Sequence, residues 1–227
     1  MTIQAQLKVL RHHLLDMSKL SYRAVDYAIK GYRLGSPEFS RYVRRGDSEL
    51  AAVHRKITDL CEKLLNQELL VDECLLDGSP APSERRFPMV AMRICGALQA
   101  ICTATSEIAH HTMLLLEDSC VPGSEALKEV CYLVNRLVCL CILALFKKDA
   151  RYADAVLQND LTPLFEQAFR NLRFDVKRRT AIPAALELAI TNSLRQIARQ
   201  TYEIAEAVLY WIEGKTYTVE AGIIVGL

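Results

Sequence analysis

The stretch from Pro183 to Gly214 reads P-A-A-L-E-L-A-I-T-N-S-L-R-Q-I-A-R-Q-T-Y-E-I-A-E-A-V-L-Y-W-I-E-G. Apolar or small residues recur in it at Leu186, Ile190, Leu194, Ile197, Thr201, Ile204, Val208 and Trp211, in steps of three and four only. That spacing lays them along one face of an α-helix. Pro183 suits a first helical turn, where a missing N–H costs nothing, and Gly214 suits the residue just past the end. An earlier stretch keeps the same rhythm through Ile94, Ala97, Ile101, Thr105, Ile108, Thr112 and Leu115. At the two centres Ile108-Ala109-His110-His111-Thr112 lines up with Ile197-Ala198-Arg199-Gln200-Thr201, and isoleucine, alanine and threonine match in both. Two long helices with one core face predict a doubled unit.

The flanking sequence supplies the other helices. Leu7, Leu10, Leu14, Met17, Ser21, Ala24 and Ala28 predict a first helix over about 3–34, stopped by Gly35-Ser36-Pro37. Ser36, Pro37 and Glu38 form a cap and first turn for a second helix reaching about Leu76. The run Asp77-Gly-Ser-Pro-Ala-Pro-Ser83 reads as a loop, and a third helix is expected from about Arg86 to Glu117. Val121-Pro-Gly-Ser124 separates the halves. The second half repeats the plan, with helices from about Glu125 to Lys147, Asp149 to Leu157 and Leu161 to Lys177, before the organising helix. The tail from Ala221 to Leu227 is apolar without a pattern, and no strand or hairpin signal is read. The expected architecture is all-α: two tandem antiparallel three-helix bundles, residues 1–120 and 121–227, six to seven helices in all.

Composition bounds the function. A formal charge of +1 offers no global field for nucleic acid or an anionic membrane. A mean hydropathy of +0.10 is high for a soluble chain and points to apolar surface covered by another protomer or a membrane-bound partner. The amino terminus turns charged at once, at Lys8, Arg11 and Asp16, unlike a secretory leader. The most apolar run, Leu137 to Phe146, is shorter than the roughly 20 residues a membrane span needs. Eight cysteines lie mostly in apolar stretches without CxxC pairs, as reduced core thiols of a cytoplasmic protein would. No glycine-rich phosphate loop, nucleophile elbow or H-E-x-x-H occurs, so no enzyme is expected.

Three patterns carry a family resemblance. Asp47, Leu50, Val53, Ile57, Cys61, Leu64 and Leu65 follow D-x-x-I-x-x-L-x-x-x-I-x-x-x-C-x-x-L-L in the second helix. Ile204-Ala-Glu-Ala-Val-Leu-Tyr-Trp-Ile-Glu-Gly-Lys215 follows I-A-E-x-V-x-Y-L-x-x-G-K. Ser106-Glu-Ile-Ala-His-His-Thr112 and Arg195-Gln-Ile-Ala-Arg-Gln-Thr201 stand where the third pattern has E-R-I-G-D-H-A. Together, over nearly the whole chain, they resemble the PhoU family, regulators of phosphate uptake and phosphate signalling. The resemblance implies an adaptor that binds a phosphate transporter or sensor kinase; the cysteine usage makes it cytoplasmic, and homodimerisation would cover the surplus apolar surface.

The resemblance also implies multinuclear metal clusters held by carboxylates, since hard cations prefer oxygen ligands. Here the motif's acidic positions hold Ser106 and His110 in one copy, and Arg195 and Arg199 in the other. Asp47 remains, followed by Ala51 and His54. An arginine cannot ligate a cation and repels one. The expectation is therefore no metal cofactor, with Glu107, His110 and His111 the residual metal candidates. Arg195 and Arg199, four apart on one face, together with Asp47, are the candidate partner-binding residues. The alternative is a metal- or phosphate-binding sensor of the same fold, reading its ligand through His110, His111, Arg195 and Arg199. Arg41, Arg44, Arg45, Arg85-Arg86 and Lys177-Arg178-Arg179 read as solvated faces, and Trp211 as a core residue.

Overall fold

The computed structural model describes residues 2–71, 82–117, 125–176, 181–215, 217–220 and 223–226. Among these, eight helices follow in order: α1 (Ile3–Leu34), α2 (Pro37–Arg45), α3 (Asp47–Val71), α4 (Pro82–Glu117), α5 (Glu125–Lys147), α6 (Ala150–Leu157), α7 (Thr162–Val176) and α8 (Ala181–Glu213). The architecture is an all-α bundle. The expected breaks at Val121–Ser124 and Lys177–Thr180, and most of the Asp77–Ser83 loop, lie outside the described residues, although Pro82 and Ser83 already belong to α4.

The helix ends show why the chain turns where it does. Gly35 closes α1 in the left-handed region at φ 61, its N–H reaching the Tyr32 carbonyl, while the Ser36 N–H donates to the Gly31 carbonyl at 3.1 Å. That pair of bonds satisfies two carbonyls that would otherwise be orphaned at the helix end. Pro37 opens α2 as expected, but Ser36 makes no side-chain cap bond. Asp149 caps α6 by accepting from the Arg151 N–H at 3.0 Å, and Asp160 Oδ1 accepts from the Thr162 N–H at the start of α7.

Two expectations need correction. The second helix is not continuous: it divides at Gly46, and the Leu50 N–H restarts the ladder on the Gly46 carbonyl at 3.2 Å. The division lets the short α2 lie against α1, with Tyr27 stacked on Phe39 and edge-on to Tyr42 at 4.7 Å. Gly31 permits this approach, since a Cβ there would stand 2.9 Å from Ser40 Oγ. The tail is not structureless either. Tyr217–Glu220 (β1) pairs antiparallel with Ile223–Gly226 (β2), in the register Tyr217↔Gly226 and Glu220↔Ile223. The paired strands are rich in β-branched residues, Thr218 and Val219 in one and Ile223, Ile224 and Val225 in the other.

The two rhythmic stretches meet at the centre of the molecule. α4 and α8 pack along each other and run antiparallel: Arg86 reaches Trp211, Arg93 pairs with Glu206 at 2.7 Å, and Glu107 meets Ser193. Ile108, Ala109, Thr112, Ile197, Ala198 and Thr201 are all buried, so every matched residue faces the core. The buried hydroxyls of Thr105, Thr191 and Thr201 donate to the carbonyl one turn earlier, which allows them into an apolar interior. α1 and α3 pack on α4, and α5, α6 and α7 on α8, while α1 also touches α5. One connected apolar cluster draws on all eight helices.

α4, over Ser83–Glu117, and α5, over Leu127–Lys147, are long and apolar enough to cross a membrane by length and composition. The helix around the Leu137–Phe146 run thus extends well beyond the run itself. In the bundle both are packed helices, α4 against α1, α3 and α8, and α5 against α1, α6, α7 and α8.

Candidate functional site

Arg195 and Arg199 stand one turn apart on the exposed side of α8, where Leu194, Ile197 and Ala198 turn inward. They border a cavity of about 410 Å³ between α7 and α8, floored by Phe165, Phe169 and Tyr202. Arg195 Cζ lies 5.4 Å over the Phe169 ring, and Arg199 Nε lies 3.4 Å from Glu203 Oε1 with its side chain 79% exposed. Tyr202 donates its hydroxyl to the Asn159 carbonyl at 2.6 Å, which fixes the wall, and burial raises its pKa. Asp160 and Glu166 supply acidic rims. The groove therefore offers an aromatic floor, a stacked guanidinium and a second one partly neutralised by its own helix. Such a surface suits a partner's carboxylates better than a free cation.

The matched face of α4 differs. Glu107, His110 and Ser106 border an open cavity of about 560 Å³ together with His111. Glu107 Oε2 accepts from Ser193 Oγ at 2.9 Å. The two imidazoles lie 5.5 Å apart, tilted by 50°. Burial, and then the neighbouring His110, lower the His111 pKa against an opposing pull from Glu107, and His111 Nδ1 is buried without a partner. Among the described residues no three His, Cys, Asp or Glu side chains gather in a way that could hold a metal ion. With arginines at the corresponding places of α8, the donor set does not fit a multinuclear cluster. Asp47 opens α3, but its side chain lies outside the described residues. The structure thus brings Glu107, His110 and His111 to one face and Arg195 with Arg199 to another.

Some features escape sequence reasoning. Glu187 is 4% exposed and accepts from the Tyr32 hydroxyl at 3.1 Å, tying the end of α1 to α8. Its position one residue past Leu186 gave no sign of burial. Arg86 is not a solvated arginine: it lies 5.5 Å over the Tyr210 ring with its Nε buried. The other basic runs behave as expected where described, since Arg41, Arg44, Arg45 and Arg85 are exposed; Lys177–Arg179 lies outside the described residues. Trp211 is a core residue, 2% exposed and 4.7 Å from the Phe87 ring.

Comparison with known proteins locates this architecture. No family model matches the chain. Over 215 residues it is 25% identical to the phosphate-specific transport system accessory protein PhoU homolog of Pseudomonas aeruginosa, across 92% of this chain and 85% of that protein. The crystal structure of PhoU from Pseudomonas aeruginosa superimposes with a TM-score of 0.83 at 23% identity, covering 94% of this chain and 100% of that one. The phosphate transport system regulatory protein PhoU from Streptococcus pneumoniae gives 0.81 at 18% identity, covering 96% and 100%. The chain is thus similar in sequence to one PhoU homolog over most of both lengths, and in fold to two PhoU structures.

Proposed function

We propose that this chain is a non-enzymatic regulatory adaptor of phosphate uptake and phosphate signalling, which acts in the cytoplasm by binding a phosphate transporter or its sensor kinase. The observation that carries this is the similarity to a phosphate-specific transport accessory protein along 92% of this chain and 85% of that protein. Likeness over most of both lengths is what a shared job of the whole bundle leaves, whereas a borrowed module would match in a small part.

The docking element is the groove between α7 and α8. Arg195, stacked on Phe169, and the exposed Arg199 receive carboxylates from the partner, and the aromatic floor receives an apolar side chain. Asp47 contributes from the start of α3. In this reading no metal centre takes part, which the arginines at the corresponding positions of α8 support. Two copies pair to cover apolar surface, of which Leu34 at 68% and Tyr132 at 59% exposed are open examples.

The test is co-purification from native membranes of the parent organism, with the wild-type chain and with Arg195→Glu/Arg199→Glu as bait. The wild type should recover transporter or sensor-kinase components, and the double variant should lose them while its helicity and melting temperature stay the same. Recovery of neither component by the wild type would overturn the proposal.

A further inference from the structure

Three cations gather where α1, α4, α8 and the α5–α6 turn come together. Arg11 of α1 and Lys148 of the turn lie over one indole, Arg11 Cζ at 5.4 Å and Lys148 Nζ at 4.7 Å from the centre of the Trp211 ring. Arg86 of α4 adjoins them, donating from Nη2 to the Trp211 carbonyl at 3.4 Å. Among the described residues the acidic counterpart is Glu84, 3.7 Å from Arg11 Nη2 and engaged as well by Gln4. Asp149, beside Lys148 in the chain, is held by Arg151 at 2.8 Å. The cluster thus keeps an excess of positive charge.

Cation–π stacking alone does not account for this arrangement. One cation per ring would brace the helices, whereas like charges crowded on one indole repel. Arg11 Nε, Arg86 Nε and Trp211 Nε1 are all buried without a hydrogen-bond partner, at a place where nearly every buried donor should have one. Lys148 sits at φ 50, a left-handed backbone that favours glycine, yet the residue here is an exposed lysine. Gly214, at φ 76, leaves the space that the Arg86 guanidinium fills, so this arginine is clamped in place. A fixed guanidinium, a second one propped on an aromatic pair and an ammonium that lies on the indole and reaches Ser83 Oγ at 3.5 Å make a preorganised anion cradle.

We propose that Arg11, Arg86 and Lys148 form a binding site for a phosphate-type oxyanion, either free phosphate or the phosphoryl group of a phosphate ester. A dianion offsets the surplus charge, and its oxygens match the geometry of guanidinium donors. Burial, then Arg11 and Arg86 against an opposing pull from Glu84, lowers the Lys148 pKa, consistent with cations crowded at this place. The three cations come from α1, α4 and the α5–α6 turn, apart from the residues that line the α7–α8 groove, and the site does not depend on the adaptor reading.

Isothermal titration calorimetry of the full chain at fixed ionic strength tests this, with inorganic phosphate in one arm and metal-free ATP in the other. Saturable binding is expected in at least one arm, and which arm responds names the source of the phosphoryl group. Arg86→Gln and Lys148→Gly should each weaken it by about tenfold or more, the loss of one charge-assisted contact. Arg195→Gln/Arg199→Gln should leave it unchanged. Lys148→Gly also relieves the left-handed backbone, so it should melt no lower than wild type while losing the stabilisation that phosphate gives. Absence of saturable heat in both arms, or binding that survives at Arg86 and Lys148 but falls with Arg195 and Arg199, overturns the proposal.

Discussion

Ile197→Ala probes the seam on which the bundle is built. Ile197 is fully buried on α8, on the face packed against α4. The substitution removes three carbons, about 2.4 kcal/mol at ~0.8 kcal/mol for each buried methylene. A residual cavity adds to this, because long helices packed on both sides cannot collapse onto it, for a total of about 3–4 kcal/mol. For a chain of this size each kcal/mol lowers the melting temperature by about 2–4 °C, so a fall on the order of 10 °C is expected. Ile108→Ala, at the matched position of α4 and 1% exposed, should fall by a similar amount. Ile182→Ala is the control: at 63% exposed it should cost less than about 0.5 kcal/mol. Calorimetric melts of the three variants beside wild type supply the measurement. If Ile197→Ala melts within a degree or two of wild type, or Ile182→Ala falls as far, the assignment of this face to the core is wrong.

Other outcomes follow from single contacts. Gly31→Leu should lower stability by about 1–3 kcal/mol in urea titrations, because α2 must withdraw from α1 where even a Cβ would stand 2.9 Å from Ser40 Oγ. His111, whose folded pKa lies below its usual 6.5, binds its proton more weakly folded than unfolded. Its contribution is complete above 6.5 and is lost as pH falls through that value towards the folded pKa. The melting temperature should therefore drop less on acidification in His111→Gln than in wild type, a comparison made by thermal melts at about pH 7.5 and about pH 5. Burial pushes the thiols of Cys61, Cys95 and Cys131 up to about 12 and raises Cys141 as well. Alkylation of the native protein mapped by mass spectrometry should leave these four unmodified, with half-buried Cys139 labelled ahead of them.

The helices were legible because their signals are local and repeated. The α1 bounds follow from Gly35-Ser36-Pro37, and α5 from a run of apolar residues ending in lysines. The α4–α8 pairing was foreshadowed by Ile-Ala-x-x-Thr in both stretches; in α8 the threonine, Thr201, bonds the Ile197 carbonyl of its own helix and so shares a face with isoleucine. Gly46 was not legible as a break: it keeps right-handed helical angles, at φ −78 and ψ −12, and divides the helix because α2 packs elsewhere. The tail hairpin was overlooked because a four-residue strand carries few alternations to count. At the candidate site, Arg195 and Arg199 stand out in sequence because they occupy the acidic positions of the family motif, four apart on one helix. What lay across from them, Phe169 on α7 and Glu203 a turn away, depends on tertiary packing and on rotamers. The cations around Trp211 come from four separate places in the chain, and no spacing rule connects Arg11, Arg86 and Lys148.

Phosphate uptake in the parent organism tests the regulatory role most directly. Cells lacking this chain should fail to reduce uptake in phosphate-rich medium; the wild-type chain should restore that response, and Arg195→Glu/Arg199→Glu, expressed to the same level, should not. Uptake that responds to phosphate identically with and without the chain would contradict a regulatory role in phosphate transport.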